Sequence, residues 1–231
     1  MQKLDYTVDI IRTNRKKTAS ISISGKYVKF VVPSGISEKE KNDILDSKKS
    51  WIMSKLKEKD LVSTKCPAKY VNGELFPYLG RKYPLAVVLG NENSIKLKRG
   101  NLNIFISKNE KNLNQLAKKI LLEWYFSKAK KLLTQKTDMF CERIGVMPKR
   151  IIISDYKSNW GSCSNKGDIR YNWRIIMAPN KVIDYLVIHE LCHLIEHNHS
   201  KSFWQYVSIY CPNMKESRNW LRKFGSNLID L

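Results

Sequence analysis

Apolar and polar positions alternate through the first part of the chain. Leu4–Ile11 alternates, Thr18–Ser24 puts Ala19, Ile21 and Ile23 on one face, and Tyr27–Val32 repeats the pattern before Pro33-Ser34-Gly35 closes it. A period of two marks half-buried strands, so these segments predict a small antiparallel sheet, with Arg12–Lys17 as a basic turn. The period then lengthens. Ser37-Glu38-Lys39-Glu40 has the form of a capped helix start, and Ile44, Leu45, Trp51, Ile52 and Leu56 recur at helical spacing to about Lys59. Leu61–Ala68 reads as a linker.

Lys69–Leu89 predicts a hairpin with turns at Asn72-Gly73 and Leu79-Gly80, and short strands follow at Ser94–Lys98 and Leu102–Ile106 around Arg99-Gly100-Asn101. Glu110–Arg143 carries Leu113, Leu116, Ala117, Ile120, Leu121, Trp124, Leu132, Leu133 and Phe140 on one helical face, with Gly145 as its stop. Strands are expected at Arg150–Ser154 and Ile169–Ile176, with Trp160–Ser164 between them. Ala178-Pro179-Asn180 breaks the chain, and a strongly apolar helix begins near Lys181. Ser200 caps a further helix ending at Cys211-Pro212-Asn213, and a last amphipathic helix covers Met214–Phe224. The pattern as a whole predicts an α+β fold: a β-rich, basic region with one helix over 1–107 and a second, helix-rich region over 108–231.

The apolar helix contains His189-Glu190-Leu191-Cys192-His193, and the chain's 4 histidines (His189, His193, His197 and His199) all fall close together there. Residues four apart share one helical face, so His189 and His193 can reach a single zinc ion. Glu190, one step round, can approach a water without ligating the metal, which suits a general base. A third ligand is needed. His197 continues the helical stripe, but three donors along a line cannot make three corners of a tetrahedron. His199 is reachable if the helix stops first, and Asn198 is the expected stop. His199 is therefore preferred, His197 is second, and a later carboxylate, Glu216, is the gluzincin-like alternative. The spacing from His189 to His199 matches the metzincin pattern except that Glu196 replaces its glycine. A buried helix does not ordinarily carry such ionisable groups without partners, which weighs for a metal site.

The 5 cysteines are odd in number and irregularly spaced, which argues against a disulfide framework. Cys192 is expected to pack beside the ligand face. Met1–Ile10 has no signal-peptide core and no apolar run is long enough to span a membrane, so a cytoplasmic location is expected. The net charge of +21 lies mostly outside the histidine segment: residues 151–231 hold 10 basic and 7 acidic side chains, and residues 1–150 hold 32 and 14. Such a field favours polyanions, which brings nucleic acid or a nucleotide into consideration as a partner. No phosphate-binding glycine loop is present.

Trp160-Gly161-Ser162-Cys163-Ser164, Tyr171-Asn172-Trp173-Arg174-Ile175-Ile176, Ala178-Pro179, Val182-Ile183-Asp184-Tyr185, the His189–His193 box, and Asn198-His199-Ser200 with Phe203-Trp204 together resemble the YgjP-like metallopeptidase family, a relative of the SprT-like and WLM zinc proteases. The resemblance is dense over about 150–210 and looser before it. It implies zinc held by His189, His193 and His199, Glu190 as catalytic acid/base, and a minigluzincin-like core of a small sheet, an active-site helix and a supporting helix. Asn159 stands where the family often has a basic residue.

The expectation is thus a zinc-dependent hydrolase acting on peptides or proteins, with Trp160, Gly161, Ser162 and Cys163 aligning substrate along a strand edge. Phosphoanhydride hydrolysis of a nucleotide is the first alternative. A nucleic-acid-associated protein, with a protease acting near DNA or a purely structural metal, is the second.

Overall fold

The computed structural model describes residues 6–15, 18–24, 27–63, 68–108, 110–156 and 159–229. Leu4 and Asp5 of the first expected strand, Lys16 and Lys17 of the basic turn, and 64–67 of the expected linker lie outside these. The chain forms two compact units, Met1–Cys66 and Pro67–Leu231.

The first unit holds β1 (Thr7–Thr13), β2 (Ser20–Ser24), β3 (Tyr27–Pro33) and α1 (Glu38–Ser63). The sheet is not wholly antiparallel as expected: its order is β1-β3-β2, with β1 parallel and β2 antiparallel to β3. β3 has the strictest alternation, burying Val28, Phe30 and Val32, and a strand that buries one face fully gains most from a neighbour on each side. Helix α1 begins as the sequence indicates. Glu40 N–H donates to Ser37 Oγ at 3.2 Å while Ser37 N–H donates back to Glu40 Oε2 at 3.0 Å, a reciprocal cap. Ile52 and Leu56 pack with Val28.

The second unit is built on α2 (Leu113–Ile144). Four strands, β4 (Leu75–Tyr78), β5 (Arg81–Gly90), β6 (Ser94–Lys98) and β7 (Asn101–Ser107), form a sheet in the order β4-β5-β7-β6. Leu85, Leu102, Ile104 and Ile106 share one core with Leu121, Tyr125 and Leu133 of α2, so these strands belong with the helix. The second compact unit, Pro67–Leu231, therefore includes these four strands. Tyr125 fastens the arrangement by donating its hydroxyl to the Pro77 carbonyl at 2.6 Å. α2 ends where Gly145 turns left-handed at φ 77° and returns its N–H to the Cys141 carbonyl.

A second small sheet, β8-β10-β9, follows, made of β8 (Arg150–Ser154), β9 (Gly161–Cys163) and β10 (Asp168–Asn172). The expected strand over 169–176 stops at Asn172. There the side-chain oxygen accepts from Arg174 N–H at 3.1 Å and starts a 3₁₀ helix, Trp173–Met177, whose residues are all buried. A continued strand would have carried every second one of these apolar side chains to the opposite face of the sheet. The 3₁₀ turn instead sends the whole segment inward and delivers the chain to α3 (Asn180–Cys192). The β4–β5 turn seals this approach. Leu79 N–H donates to the Ile176 carbonyl and Gly80 N–H to that of Met177, and a Cβ on Gly80 would come within 2.9 Å of Pro179 Cα.

Helix α3 lies against α2, where Lys136 reaches Asp184 at 2.5 Å. Helices α4 (Lys201–Tyr210), α5 (Met214–Phe224) and α6 (Ser226–Ile229) complete the unit. Among the described residues no helix is long and apolar enough to cross a membrane. Lys118, Lys119, Lys128, Lys130 and Lys131 of α2 stand on its exposed side.

Leu133 is fully buried on α2, whereas Met147 in the turn beyond it is 84% exposed. Leu133→Ala is expected to cost about 2–5 kcal/mol of unfolding free energy. Met147→Ala should stay within about 0.5 kcal/mol. Urea denaturation of both variants checks the pair.

Candidate metal centre

Helix α3 is apolar almost all round. Val182, Ile183, Tyr185, Leu186, Val187, Ile188, Leu191 and Cys192 are all buried. Its last turn carries His189 and Glu190, and His193 is the C-cap, still in right-handed helical conformation at φ −68° and ψ −15°. The helix stops at Cys192, well before the expected Asn198. The Leu194, Ile195 and Glu196 N–H groups fold back onto the Leu191 and Cys192 carbonyls, and the chain reverses. Ser200 then accepts from Phe203 N–H at 3.2 Å and starts α4.

This reversal brings His199 back over the helix. The ring centres of His189, His193 and His199 lie 4.9, 5.0 and 4.7 Å apart, pair by pair. One nitrogen from each falls within 4.8 Å of the others, and the His189 and His199 Nε2 atoms are 3.1 Å apart. Two nitrogens on one tetrahedral zinc at about 2.0–2.1 Å would be separated by roughly 3.4 Å, so the donor set fits that ion. Neither His197 nor Glu216 belongs to the set.

The surroundings favour neutral, ligating imidazoles. Burial, then the neighbouring His193, His199 and Arg218, push His189 down to about 3, and burial lowers His193 as well. His193 Nδ1 lies 3.1 Å from the Glu196 carbonyl, which suits a donated N–H and leaves Nε2 free to ligate. His189 Nδ1 is buried and meets no hydrogen-bond partner. Phe203, fully buried, packs against all three rings at 5.0, 4.3 and 4.8 Å. Trp204 stacks on His199 at 5.5 Å, and Tyr185 leans on His189 at 5.7 Å.

Glu190 is 3% exposed. Burial raises it to about 8. Room for it is made by β9: a Cβ on Gly161 would fall 2.5 Å from Glu190 Oε1 and 2.8 Å from its Cδ. The strand is held in place around this gap. Asn172 N–H donates to the Trp160 carbonyl at 2.8 Å, and Asn172 Nδ2 donates to the carbonyls of Tyr156 at 2.7 Å and Asn159 at 3.2 Å. Position 159 thus contributes a main-chain oxygen, which any side chain would allow.

β9 is an edge strand, paired through Gly161, Ser162 and Cys163 to β10 on one side only. The Cys163 thiol is pushed up to about 11 by burial and by Glu190 and Asp168, and Cys192, wholly buried, to about 12. Neither is a thiolate at neutral pH. The four described cysteines, Cys141, Cys163, Cys192 and Cys211, are free.

The fold brings together the three histidines the sequence reading preferred, while the Glu190 carboxylate lies against Gly161. That reading did not assign a site role to Phe203, Trp204, Tyr185 or Arg218. Phe203 and Trp204 carry a signal of a kind, since each is one helical turn or so beyond His199. Arg218 carries none.

A family model described as YgjP-like, metallopeptidase domain matches residues 17–224. Among solved structures, the metallopeptidase zymogen abylysin of Pyrococcus abyssi is similar at 23% identity and TM-score 0.37, over 40% of this chain and 95% of that one. The zymogen jannalysin of Methanocaldococcus jannaschii is similar at 18% identity and TM-score 0.36, over 39% of this chain and 94% of that one. No curated protein sequence matches significantly.

The Gly161–Glu190 contact can be tested by overpacking. Gly161→Ala is expected to lower stability by about 1–3 kcal/mol, because Glu190 or the strand must shift. Thermal unfolding measures it, with Ser162→Ala as the neighbouring control; an unchanged midpoint in Gly161→Ala would remove the contact from consideration.

Proposed function

The chain belongs to the YgjP-like metallopeptidase family, and we propose that it hydrolyses peptide bonds in peptides or proteins, with zinc held by His189, His193 and His199 and with Glu190 as the general base. The observation that carries this reading is the convergence of three ring nitrogens within 4.8 Å, next to a buried carboxylate one residue along the same helix. A hydrogen-bonded histidine cluster would need no such carboxylate. A purely structural zinc site closes its fourth position with a protein ligand, and no cysteine or carboxylate joins these histidines among the described residues.

When bound, zinc supplies a Lewis acid for the scissile carbonyl and brings the pKa of a water near neutrality. The chain's own residues do the rest. Burial alone favours the neutral carboxyl of Glu190, and a divalent cation held by the histidines would favour its carboxylate; in that form Glu190 takes a proton from the attacking water as the new C–O bond forms. It gives that proton to the amide nitrogen as the C–N bond breaks, so the amine leaves neutral. The pocket against Gly161 fixes the carboxylate, and its low polarity keeps the proton from exchanging with bulk water. Phe203 limits how far the imidazoles can tilt. The open edge of β9 at Gly161–Cys163 offers main-chain groups to an extended substrate, a mode that tolerates varied side chains. Trp160 anchors the start of that edge by packing near Gly225, where a Cβ would meet its Nε1 at 3.0 Å.

Two variants separate binding from chemistry. His199→Ala should lose the metal, read as zinc per chain by atomic emission after purification without chelator. Glu190→Gln should keep about one zinc per chain and lose about 10²–10⁴-fold in peptide hydrolysis. Hydrolysis retained in Glu190→Gln would overturn the assignment of the base. A peptide-inactive enzyme that releases phosphate from nucleoside triphosphates would replace the peptidase reading with the nucleotide one.

A further inference from the structure

Arg218 is set apart by the ring it stacks on, Trp204. Arg150 holds Asp168 with two hydrogen bonds of 2.9 and 2.6 Å, and Arg174 holds Asp155. Arg218 has no carboxylate partner among the described residues. It is exposed, yet its position is fixed: the guanidinium carbon lies 4.6 Å from the centre of the Trp204 ring. Trp204 in turn lies 5.5 Å from the His199 ring and 5.7 Å from the His189 ring. The helix beneath is anchored as well. Ser217 is buried and donates its hydroxyl to the Lys181 carbonyl at 3.3 Å, tying α5 to the start of α3.

A permanent cation beside a metal centre is an electrostatic liability. It repels a divalent ion, and an anion lying close to both is attracted by each. Glu190 faces Gly161 and is not that anion for Arg218. The guanidinium is already stacked, so little further freedom is lost when it binds, and its planar fork matches a carboxylate in two parallel hydrogen bonds. We infer that Arg218, stacked on Trp204 at the rim of the histidine cluster, is a substrate-binding residue that recognises a carboxylate of the peptide. This rests on the peptidase reading above. The carboxylate can come from two sources, the C-terminus of a short peptide or an Asp or Glu side chain within a longer one.

The test is calorimetric titration of the full chain with four probes. Acetyl-Ala-Ala and its amide examine the terminal carboxylate; acetyl-Ala-Glu-amide and acetyl-Ala-Gln-amide examine a side chain. In one pair the acid should bind about tenfold or more tightly than its neutral partner, the worth of one charge-assisted contact. Arg218→Gln should abolish that preference and Arg218→Lys should keep part of it, with unfolding midpoints unchanged because the side chain is exposed. The pair that shows the preference identifies the source. With peptides that are cleaved, Arg218→Gln should raise KM for the acid and leave kcat within a fewfold. Equal binding of acid and neutral partner in both pairs, including no measurable binding of either at millimolar concentration, overturns the inference, as does a preference that survives Arg218→Gln. Zinc content of the same samples reports on the metal centre separately, so loss of the peptidase reading and loss of the Arg218 site are distinguishable.

Discussion

Everything about this site depends on where α3 ends. A helix can place two imidazoles on one face, but it cannot supply a third donor at the same point, because each further turn carries a side chain about 5.4 Å along the axis. The chain solves this by stopping at Cys192 and leaving His193 in helical conformation as the cap. The Leu194, Ile195 and Glu196 N–H groups turn back onto the last carbonyls, and the segment to Ser200 reverses across the helix end. His199 arrives from outside the stripe, 3.1 Å from His189 between Nε2 atoms. The same reversal starts α4, whose Phe203 fills the space behind all three rings.

Burying this helix end exacts a stability cost. His189 and Glu190 both have pKa values moved toward the neutral form by loss of water, to about 3 and about 8. Neutral forms are what an apolar environment accepts, and they leave the site with unpaired donors and acceptors instead of unpaired charges. The rest of the second unit offsets that cost with well-packed apolar mass. Tyr171, fully buried, shares its hydroxyl with Thr137 of α2 at 3.1 Å, and the Trp173–Met177 turn packs entirely inside. Well-packed architecture on the α2 side thus carries a desolvated, polar helix end on the α3 side.

Much of this was legible in the sequence, for reasons that differ by element. β3 and α2 were readable because each buries a single face, and periodicity reports a single face well. Gly145 and Ser200 were readable because caps have few chemical solutions. The histidines were readable from spacing and residue type, and Glu190 from its place between them. What failed depended on contacts far away in sequence. The parallel placement of β1 beside β3 leaves no local mark. The end of β10 at Asn172 is set by carbonyls of Tyr156 and Asn159 that the amide must also satisfy. The stop at Cys192 carries no glycine or asparagine, so the first left-handed candidate downstream, Asn198, attracted the assignment instead. Arg218 is one more basic residue in a chain with 42 of them, and only the fold singles it out.

The wiring of the sheets explains why an open strand edge lies beside Glu190 at all. In β1-β3-β2, in β5-β7-β6 and in β8-β10-β9 the same rule holds: the third strand of each trio takes the centre, parallel to the first and antiparallel to the second. The middle strand in sequence is therefore always an edge. Exposed edges invite unwanted pairing, and proteins blunt them with charge. β6 carries Lys96 and Lys98, and β1 on its own edge carries Asp9 and Arg12. β9 carries no charge, and it is guarded instead by brevity, since Gly161–Cys163 is 3 residues long. A strand that short cannot hold another chain by ladder hydrogen bonds alone.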